Sequence, residues 1–286
     1  MDLGLKGRVA VVTGGSMGIG RAVAQAFAEE GAHVALLSRG RAALEQAAAE
    51  IARDTGVQAL AVPADVADTA QVQAAMERVA AHFGRLDVLV NGAAHPGGLV
   101  RGGIEEADPA GLLQDIDIKV VGYMRCAQAA VPHMKRAGWG RIVNIGGLTG
   151  RGSKQLSGLR NVAICHMTKV LSDQLGPHGI TVNVIHPGVV DTPHIHELYA
   201  REAKLQGLTP AEVEANYCKA TPIRRTLQPA EIADAVLFLA SPRAAAITGE
   251  SLGVDGGITR GIGRVGMKTR PMTAAITQKG SEMKKT

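Results

Sequence analysis

Seven short runs of mostly apolar residues are spread along the chain, and each has the length of a β-strand. Within a run the apolar residues are nearly continuous and do not alternate with polar ones, so each run predicts a strand covered on both faces. The runs are Val9–Val12, Val34–Leu37, Val57–Val62, Leu86–Val90, Arg141–Ile145, Thr181–Ile185 and Ser251–Val254.

Stretches of helical length separate these runs, so strand and helix alternate along the chain. This order predicts the α/β fold class, as a single Rossmann-like, doubly wound domain with a parallel sheet, right-handed crossovers and helices on both faces. The predicted helices are Gly18–Glu30, Arg41–Asp54, Thr69–Phe83, Leu112–Arg136, Ser157–Leu175 and Pro229–Leu239.

The pattern predicts one nucleotide-binding domain over residues 1–257, because no linker or repeat divides the alternating elements. Residues 192–226 contain helical pieces but no strand. We interpret them as an insertion, a substrate lid, over the carboxyl edge of the sheet, where ligands bind in such folds. Residues 258–286 follow the last strand as a C-terminal extension.

The net charge of +5 belongs to this extension and not to the domain. Without the extension, residues 1–257 hold 24 basic and 25 acidic residues, a net charge of −1. This distribution and an aromatic content of only 2% argue against a nucleic-acid-binding groove. The basic residues of the extension are Arg260, Arg264, Lys268, Arg270, Lys279, Lys284 and Lys285.

The three cysteines have no metal-like spacing, and Cys126 and Cys165 lie in apolar helical segments. We therefore expect buried free thiols, which are typical of the reducing cytoplasm. The N-terminal residues lead directly into the first strand with no signal-peptide pattern, and no apolar run reaches the ~18 residues of a membrane span. The sequence thus predicts a cytoplasmic protein without a membrane partner.

The segment "VAVVTGGSMGIGRAVAQAF" carries the strongest functional signal. A strand ends at Thr13, and Gly14, Gly18 and Gly20 follow in the spacing GxxxGxG before an amphipathic helix. Such glycines permit a tight turn and a close approach of the backbone to a pyrophosphate, whose charge then lies against the helix N-terminus. The segment predicts a dinucleotide site.

The end of the second strand indicates which dinucleotide is bound. An NAD site usually places a carboxylate there for the ribose 2′-hydroxyl. This chain has Ser38 and Arg39, with Arg41 beyond, and a hydroxyl and a guanidinium suit a 2′-phosphate. We therefore expect NADP(H) to be preferred, with NAD(H) possible. The alternative is an arginine that is simply solvated on a loop.

These features and several further motifs resemble the short-chain dehydrogenase/reductase superfamily over about residues 5–257. "ADV" resembles its adenine-contacting motif, and "LVNGAA" resembles its "NNAG". "VNVIHPGVVDTP" resembles the strand and Pro-Gly turn before its nicotinamide-contacting threonine. "PAEIADAVLFLASPRAAAITGESLGVDGG" resembles the end of its domain.

The resemblance implies a seven-stranded sheet, a small-molecule substrate and a homodimer or homotetramer. The interface would be built from the two long helices that span about 112–136 and 157–175. The implied cofactor contacts are Gly14, Ser16, Met17, Gly18, Ile19, Gly20, Ser38, Arg39, Asp65, Val66, Asn91, Gly92, Ala93, Asn161, Pro187, Gly188 and Thr192.

The usual catalytic residues of this superfamily are a serine after the fifth strand, a tyrosine and a lysine in the pattern YxxxK, and an asparagine on the preceding long helix. Counting without gaps from the Pro-Gly turn and from "MTKVL" places Ser157 at the tyrosine position and Asn161 at the lysine position. Gly147 then aligns with the serine and Lys119 with the asparagine. The resemblance therefore identifies a divergent member.

Three residues are candidates for the altered chemistry. Ser157 could hydrogen-bond a substrate oxygen, and Asn161 could donate to the nicotinamide ribose. A partly buried lysine can have its pKa lowered toward neutrality and serve as an acid or a base, so Lys119 is the candidate for proton transfer or oxyanion stabilisation. The competing interpretation is that Lys119 is structural or solvated.

Histidines are weaker candidates, although their pKa lies near neutrality. His95 follows the fourth strand at the carboxyl edge, and His194 and His196 lie where the lid begins. The HxH spacing has no third ligand beside it and predicts no metal site. Tyr199 and Tyr217 belong to the lid segment.

The leading hypothesis is an NADP(H)-dependent oxidoreductase with an atypical catalytic site that acts on a small carbonyl, an alcohol or an activated alkene. One alternative is an inactive nucleotide-binding sensor or assembly subunit, which would keep the cofactor motifs beside replaced catalytic residues. Another is a non-redox lyase, dehydratase or epimerase.

Overall fold

The structure, a computed structural model, describes residues 2–95, 98, 100, 103–150 and 155–258. Its strands pair in parallel in one seven-stranded sheet. The strands are β1 Val9–Thr13, β2 His33–Ser38, β3 Ala59–Pro63, β4 Val88–Asn91, β5 Gly140–Ile145, β6 Ile180–Pro187 and β7 Ser251–Val254.

Helices connect these strands and cover both faces of the sheet, which confirms the predicted doubly wound α/β fold. The described α-helices are α1 Gly18–Glu29, α2 Arg41–Thr55, α3 Thr69–Phe83, α4 Pro109–Ile116, α5 Gly122–Ala137, α6 Gly158–Leu175, α7 Pro193–Gln206, α8 Pro210–Ala220 and α9 Pro229–Ala240.

The strand order β3-β2-β1-β4-β5-β6-β7 reverses direction between β1 and β4. Thr13 at the end of β1 is level with Leu37 on β2 and with Asn91 at the end of β4. The loops that leave β1 and β4 therefore diverge to opposite faces and leave a crevice at the carboxyl edge, which is where ligands bind in such sheets.

Each face of the sheet has its own apolar core. One core joins α1, α2 and α9 to the strands and contains Phe27, Ile51 and Val236. The other joins α3 and α5 to the strands and contains Met76 and Met134. Two covered faces explain why the strands are continuously apolar.

The prediction of one helix over Leu112–Arg136 is wrong in its middle. The helix is divided by a π-helical turn at Asp117–Val121, between α4 and α5. Asp108 begins α4 by accepting hydrogen bonds from the N–H groups of Ala110 and Gly111. A π turn holds more residues than an α turn and changes which side chains face inward. The apolar pattern carried no signal for it.

The strand-free segment 192–226 contains α7 and α8, which pack on each other through a small separate cluster of apolar residues. Tyr199 and Tyr217 lie in this cluster with ring centroids 5.4 Å apart. The predicted extension, 258–286, lies outside the described residues apart from Ile258. In the described part of the chain, no helix has the length and apolar character needed to cross a bilayer.

Candidate active site

A cavity of about 560 Å³ lies at the carboxyl ends of β1, β2 and β4. Most of the predicted cofactor contacts line it, whereas Asn91, Asn161, Pro187 and Gly188 do not. The predicted contacts on its wall are Gly14, Ser16, Met17, Gly18, Ile19, Gly20, Ser38, Arg39, Asp65, Val66, Gly92, Ala93 and Thr192.

The glycine turn after β1 is packed too tightly for other residues. Gly14 has a φ of +71°, which favours glycine. A carbon atom attached to Gly20 would lie 2.3 Å from the carbonyl oxygen of Gly14. Met17, at the N-cap of α1, makes no side-chain hydrogen bond to the helix. The first N–H groups of α1 are thus left for an anion in the cavity.

The end of β2 presents a hydroxyl and a guanidinium to the same cavity. Ser38 Oγ is buried and has no hydrogen-bond partner among the described residues. Arg39 lies next to it on the cavity wall and is exposed. Arg41 forms an ion pair with Glu45 on α2, at 3.2 Å. A buried hydroxyl without a partner and an adjacent guanidinium suit a phosphate at this end of the cavity.

A network of polar side chains supports the floor of the cavity. The Thr13 hydroxyl accepts hydrogen bonds from the N–H groups of Gly92 and Ala93, at 3.0 and 3.1 Å. Asn91 donates to Asn144 Oδ1 at 2.9 Å, beneath the cavity wall. Asn91 therefore holds β4 to β5 and does not line the cavity.

Thr192 lies beside the glycine turn on the cavity wall. A carbon atom attached to Gly18 would lie 3.6 Å from Thr192 Cγ2, an ordinary van der Waals distance. Gly188 packs against the end of β7, where a carbon atom attached to it would lie 2.7 Å from Asp255 Cα. Pro187 and Gly188 therefore bring the chain past β7 toward Thr192 and do not line the cavity themselves.

Lys119 and Asn161, two of the candidate catalytic residues, lie in direct contact. Lys119 Nζ donates to Asn161 Oδ1 and to the carbonyl oxygen of Gly146, both at 2.8 Å. The Asn161 amide in turn donates to Thr149 Oγ1 at 2.6 Å. The π turn supplies Lys119, and the first turn of α6 supplies Asn161.

Two consecutive glycines at the end of β5 make room for this arrangement. A carbon atom attached to Gly147 would lie 2.9 Å from Asn161 Nδ2. A carbon atom attached to Gly146 would lie 2.6 Å from His186 Nδ1. Gly147 is the residue that the sequence aligns with the superfamily serine, so the Asn161 amide occupies the space next to that position.

Lys119 is 4% exposed, and burial lowers its pKa from 10.5 to about 7. Arg160 lowers the pKa further, whereas Asp115 and Cys165 raise it. Lys119 itself does not line the cavity, but its chain neighbour Ile118 does. The amine therefore lies behind the cavity wall, in a form that can both donate and accept a proton near neutral pH.

Ser157, the third candidate, lies at the N-cap of α6 and is 3% exposed. It packs against Gly98, because a carbon atom on Gly98 would lie 2.7 Å from Ser157 Cβ and 3.0 Å from Asp115 Oδ2. Asp115 forms an ion pair with Arg160 at 2.6 Å. Ser157 thus lies beside a buried pair of charges.

The histidines divide between the cavity and other contacts. His95 and His194 line the cavity, whereas His196 pairs with Asp191 at 2.7 Å. His186, which the sequence did not single out, lies 3.3 Å from Cys165 Sγ through Nε2. The prediction that Cys165 is buried is wrong, since its side chain is only partly buried.

Asp115 and Arg160 were not predicted as site residues, because neither belongs to a motif. One signal was available: each is a charged residue within a helix whose neighbours are largely apolar. Asp115 also precedes Lys119 by four residues, one helical turn, and Arg160 directly precedes Asn161. No group of three or more His, Cys, Asp or Glu side chains suited to a metal occurs in the described ranges.

Comparison with known proteins identifies relatives over nearly the whole described chain. The sequence family described as enoyl-(acyl carrier protein) reductase matches residues 14–259. Cis-4-hydroxycyclohexanecarboxylate dehydrogenase of Sinomonas cyclohexanicum is 38% identical over 257 residues, which cover 88% of this chain and 96% of that protein.

Solved structures share the fold. L-sorbose reductase from Gluconobacter frateurii, in complex with NADPH and L-sorbose, has a TM-score of 0.86 and 32% identity, over 92% of this chain and all of that chain. NAD+-bound xylitol dehydrogenase has a TM-score of 0.82 and 30% identity, over 88% of this chain and 99% of that chain.

Proposed function

The chain belongs to the short-chain dehydrogenase/reductase superfamily, and on this premise we propose that it is an NADP(H)-dependent oxidoreductase that interconverts a small ketone and the corresponding alcohol. One observation carries the proposal: a dinucleotide-sized cavity behind whose wall lies the Lys119–Asn161 pair. The relatives support the substrate class, since one is a dehydrogenase of a hydroxycyclohexanecarboxylate and another is a reductase of L-sorbose.

The residues of the cavity suit NADP(H). The turn at Gly14 and the free N–H groups of α1 would hold the pyrophosphate. The Ser38 hydroxyl, which has no partner within the described ranges, and the Arg39 guanidinium would hold the 2′-phosphate. A buried hydroxyl without a hydrogen-bond partner is otherwise unfavourable. Thr192 would face the nicotinamide end. When bound, the nicotinamide supplies or accepts a hydride.

Lys119 is the proposed proton carrier. Two of its N–H bonds are directed to Gly146 and Asn161, which fixes the position of Nζ. With a pKa of about 7, the ammonium can give a proton to an oxygen that gains negative charge during reduction. The neutral amine can accept the proton during oxidation, so both directions are open near neutral pH.

We propose that this active site is atypical for the superfamily. In the correspondence given by the sequence, the lysine and the asparagine have exchanged helices. Three observations support that correspondence: Lys119 contacts Asn161, Ser157 lies at the start of α6, and Gly147 abuts the Asn161 amide. Because the exchange keeps the amine and the amide in contact, it favours a site that has kept catalytic activity over one that has lost it.

One observation favours the second candidate function, a nucleotide-binding protein without turnover. Lys119, Asn161 and Ser157 are all at most 4% exposed, and none of them lines the cavity. A substrate in the cavity would reach Lys119 only after a rearrangement or through water. The assay described below separates the two functions.

We also propose that 192–226 is a substrate lid and that the chain forms a homodimer or homotetramer through α5 and α6. His194 at the start of α7 lines the cavity, which supports the lid. Met124 on α5, together with Leu159 and Val162 on α6, is exposed, and such apolar side chains are typical of a subunit interface.

The proposed function is tested with purified full-length protein, NADPH or NADH, and a panel of small ketones, hydroxyketones and enones. We expect a ketone to cause loss of dihydronicotinamide absorbance, faster with NADPH than with NADH. Lys119→Met should lower kcat by about 10²–10⁴-fold, because a general acid contributes about that factor. The affinity for NADPH should change much less.

Lys135→Met is the matched control, because Lys135 is an exposed lysine on α5, and it should leave kcat unchanged. NADPH binding without consumption in any reaction would overturn the proposal in favour of the second candidate. Substrate loss without a change in the nucleotide would instead indicate a non-redox reaction.

A further inference from the structure

A buried ion pair links α4 and α6 next to Lys119. Arg160 Nη1 lies 2.6 Å from Asp115 Oδ1, and Asp115 is fully buried. Arg160 also donates to the carbonyl oxygen of His95, a residue of the cavity wall, at 3.0 Å. Asp115 Oδ2 and Arg160 Nε have no partner among the described residues, so the two charges are balanced mainly by each other.

The ion pair and the Lys119–Asn161 contact lie next to each other. Both join the segment formed by α4 and the π turn to the first turn of α6. Asp115 precedes Lys119 by four residues, and Arg160 directly precedes Asn161. Arg160 Nη1 lies 2.6 Å from Asp115 Oδ1, and Lys119 Nζ lies 2.8 Å from Asn161 Oδ1. The carboxylate therefore lies on the same segment as Lys119, and the guanidinium lies on the helix that Lys119 contacts.

Three other titratable side chains lie near Lys119, on α5, α6 and β6. From α6, Cys165 lies one turn beyond Asn161 and contacts His186 of β6. From α5, Tyr123 donates its hydroxyl to the carbonyl oxygen of Ile145, and burial raises the pKa of this phenol. Among the side chains near Lys119, Arg160 and Asp115 act on its pKa most strongly, and Cys165 acts in the same direction as Asp115 with a smaller effect.

Stability alone gives little reason to keep such a pair. Removing two charges from water is costly, and replacing a buried ion pair by apolar residues of similar volume is often neutral or stabilising. Here one carboxylate oxygen and one guanidinium nitrogen of the pair have no partner in the part of the chain that the structure describes. Its effect on the neighbouring amine offers a reason for its presence.

We propose that Asp115 and Arg160 are positioning residues that set the fraction of Lys119 present as ammonium. Asp115 favours the charged form and Arg160 opposes it, so the amine is held between full protonation and full neutrality. The inference rests on the proposed function, because only a proton carrier benefits from this balance.

The test compares Asp115→Asn, Arg160→Met and the double variant in the full chain. The titration midpoint of Lys119 is read by NMR of ¹³C-labelled lysine, with its signal assigned by its loss in Lys119→Met. Asp115→Asn should lower the midpoint by about one pH unit or more, and Arg160→Met should raise it by a similar amount. The double variant should return near the wild-type midpoint, because it removes both charges.

Asp117→Asn is the matched control. Asp117 is two residues from Lys119, but it is partly exposed and paired with Arg125 at 2.8 Å. Solvent screens such a charge, so its removal should leave the midpoint of Lys119 unchanged. If Asp115→Asn alone does not fold, the double variant compared with Arg160→Met isolates the same carboxylate and should show the lower midpoint.

The inference is overturned if Asp115→Asn and Arg160→Met shift the midpoint in the same direction, or if neither shifts it. It is also overturned if the double variant keeps the full shift of either single variant. The pH profile of kcat is then measured on the same proteins. If the Lys119 midpoints shift as expected but the pH profile of kcat does not change, the inference is supported. The same result contradicts the proton-carrier role of Lys119.

Discussion

Gly147 has no side chain, and this absence leaves room for the Asn161 amide. The Asn161 amide lies where a side chain at 147 would begin, at 2.9 Å from the added carbon. That amide connects Lys119 to Thr149. Any side chain at 147 must therefore displace the group that positions the amine.

We expect Gly147→Ala to lower kcat about tenfold, because shifting Asn161 weakens hydrogen bonds worth about 1–2 kcal/mol. NADPH affinity, measured by fluorescence titration, should change less. Gly176→Ala is the control, since a carbon atom on Gly176 meets nothing within 4 Å. A Gly147→Ala protein with the wild-type kcat would show that the position of Asn161 is not critical.

Residues within local motifs could be predicted from sequence, and residues defined by distant contacts could not. Gly14 and Ser38 lie on the cavity wall, because the ends of β1 and β2 fix their location. Asp115 and Arg160 are 45 residues apart, and nothing in either local pattern pairs them. Lys119 was predicted as a candidate, but its burial behind the cavity wall depends on the same contacts.

At the scale of elements, the positions of helices and strands follow the apolar pattern closely. The reason is that residues packed against a core must be apolar at the spacing of their helix or strand. The π turn at Asp117–Val121 is the exception. Its residues, DIKVV, are equally compatible with an α-helix. Lys119 of this turn contacts the Asn161 side chain of α6 and the carbonyl oxygen of Gly146, directly after β5. Tertiary packing, not local preference, determines it.

The α7–α8 hairpin has a core of its own, so we expect it to open independently of the domain. Thr209 begins α8 with a capping box, in which it exchanges hydrogen bonds with Glu212. Thr209→Ala should cost about 1 kcal/mol of local stability. Hydrogen exchange should therefore accelerate about fivefold within α8, with little change in the global unfolding midpoint.

Asp68→Ala provides the contrast, because Asp68 caps α3, a helix of the main core. It should lower the global free energy of unfolding by a similar ~1 kcal/mol. If Thr209→Ala lowers global stability equally and leaves local exchange unchanged, the hairpin and the domain unfold together.

At the scale of the whole molecule, the parallel sheet brings distant segments to one edge. The loops after β1, β2 and β4 line the cavity, while Gly146 after β5 and Asn161 in α6 contact Lys119. This arrangement buries an amine whose pKa is 10.5 when unburied and about 7 in the folded protein. Between these values the unfolded chain binds more protons than the folded protein, so stability must rise with pH.

We expect the free energy of unfolding of the wild-type protein to rise relative to that of Lys119→Met between pH 7 and pH 10. The slope should approach 1.4 kcal/mol per pH unit, about the value for one group that is protonated only in the unfolded state. Below pH 7 both states bind the proton, and the difference should level off. Urea denaturation at several pH values measures both curves, and parallel curves would mean that Lys119 has an ordinary pKa.

The packing of Gly98 on Ser157 has a consequence for substitutions at either position. A carbon atom attached to Gly98 would lie 2.7 Å from Ser157 Cβ and 3.0 Å from Asp115 Oδ2. A side chain at position 98 would therefore press on Ser157 and on the buried carboxylate together. Positions 98 and 157 are thus coupled, and a change at one limits which residues the other can accept.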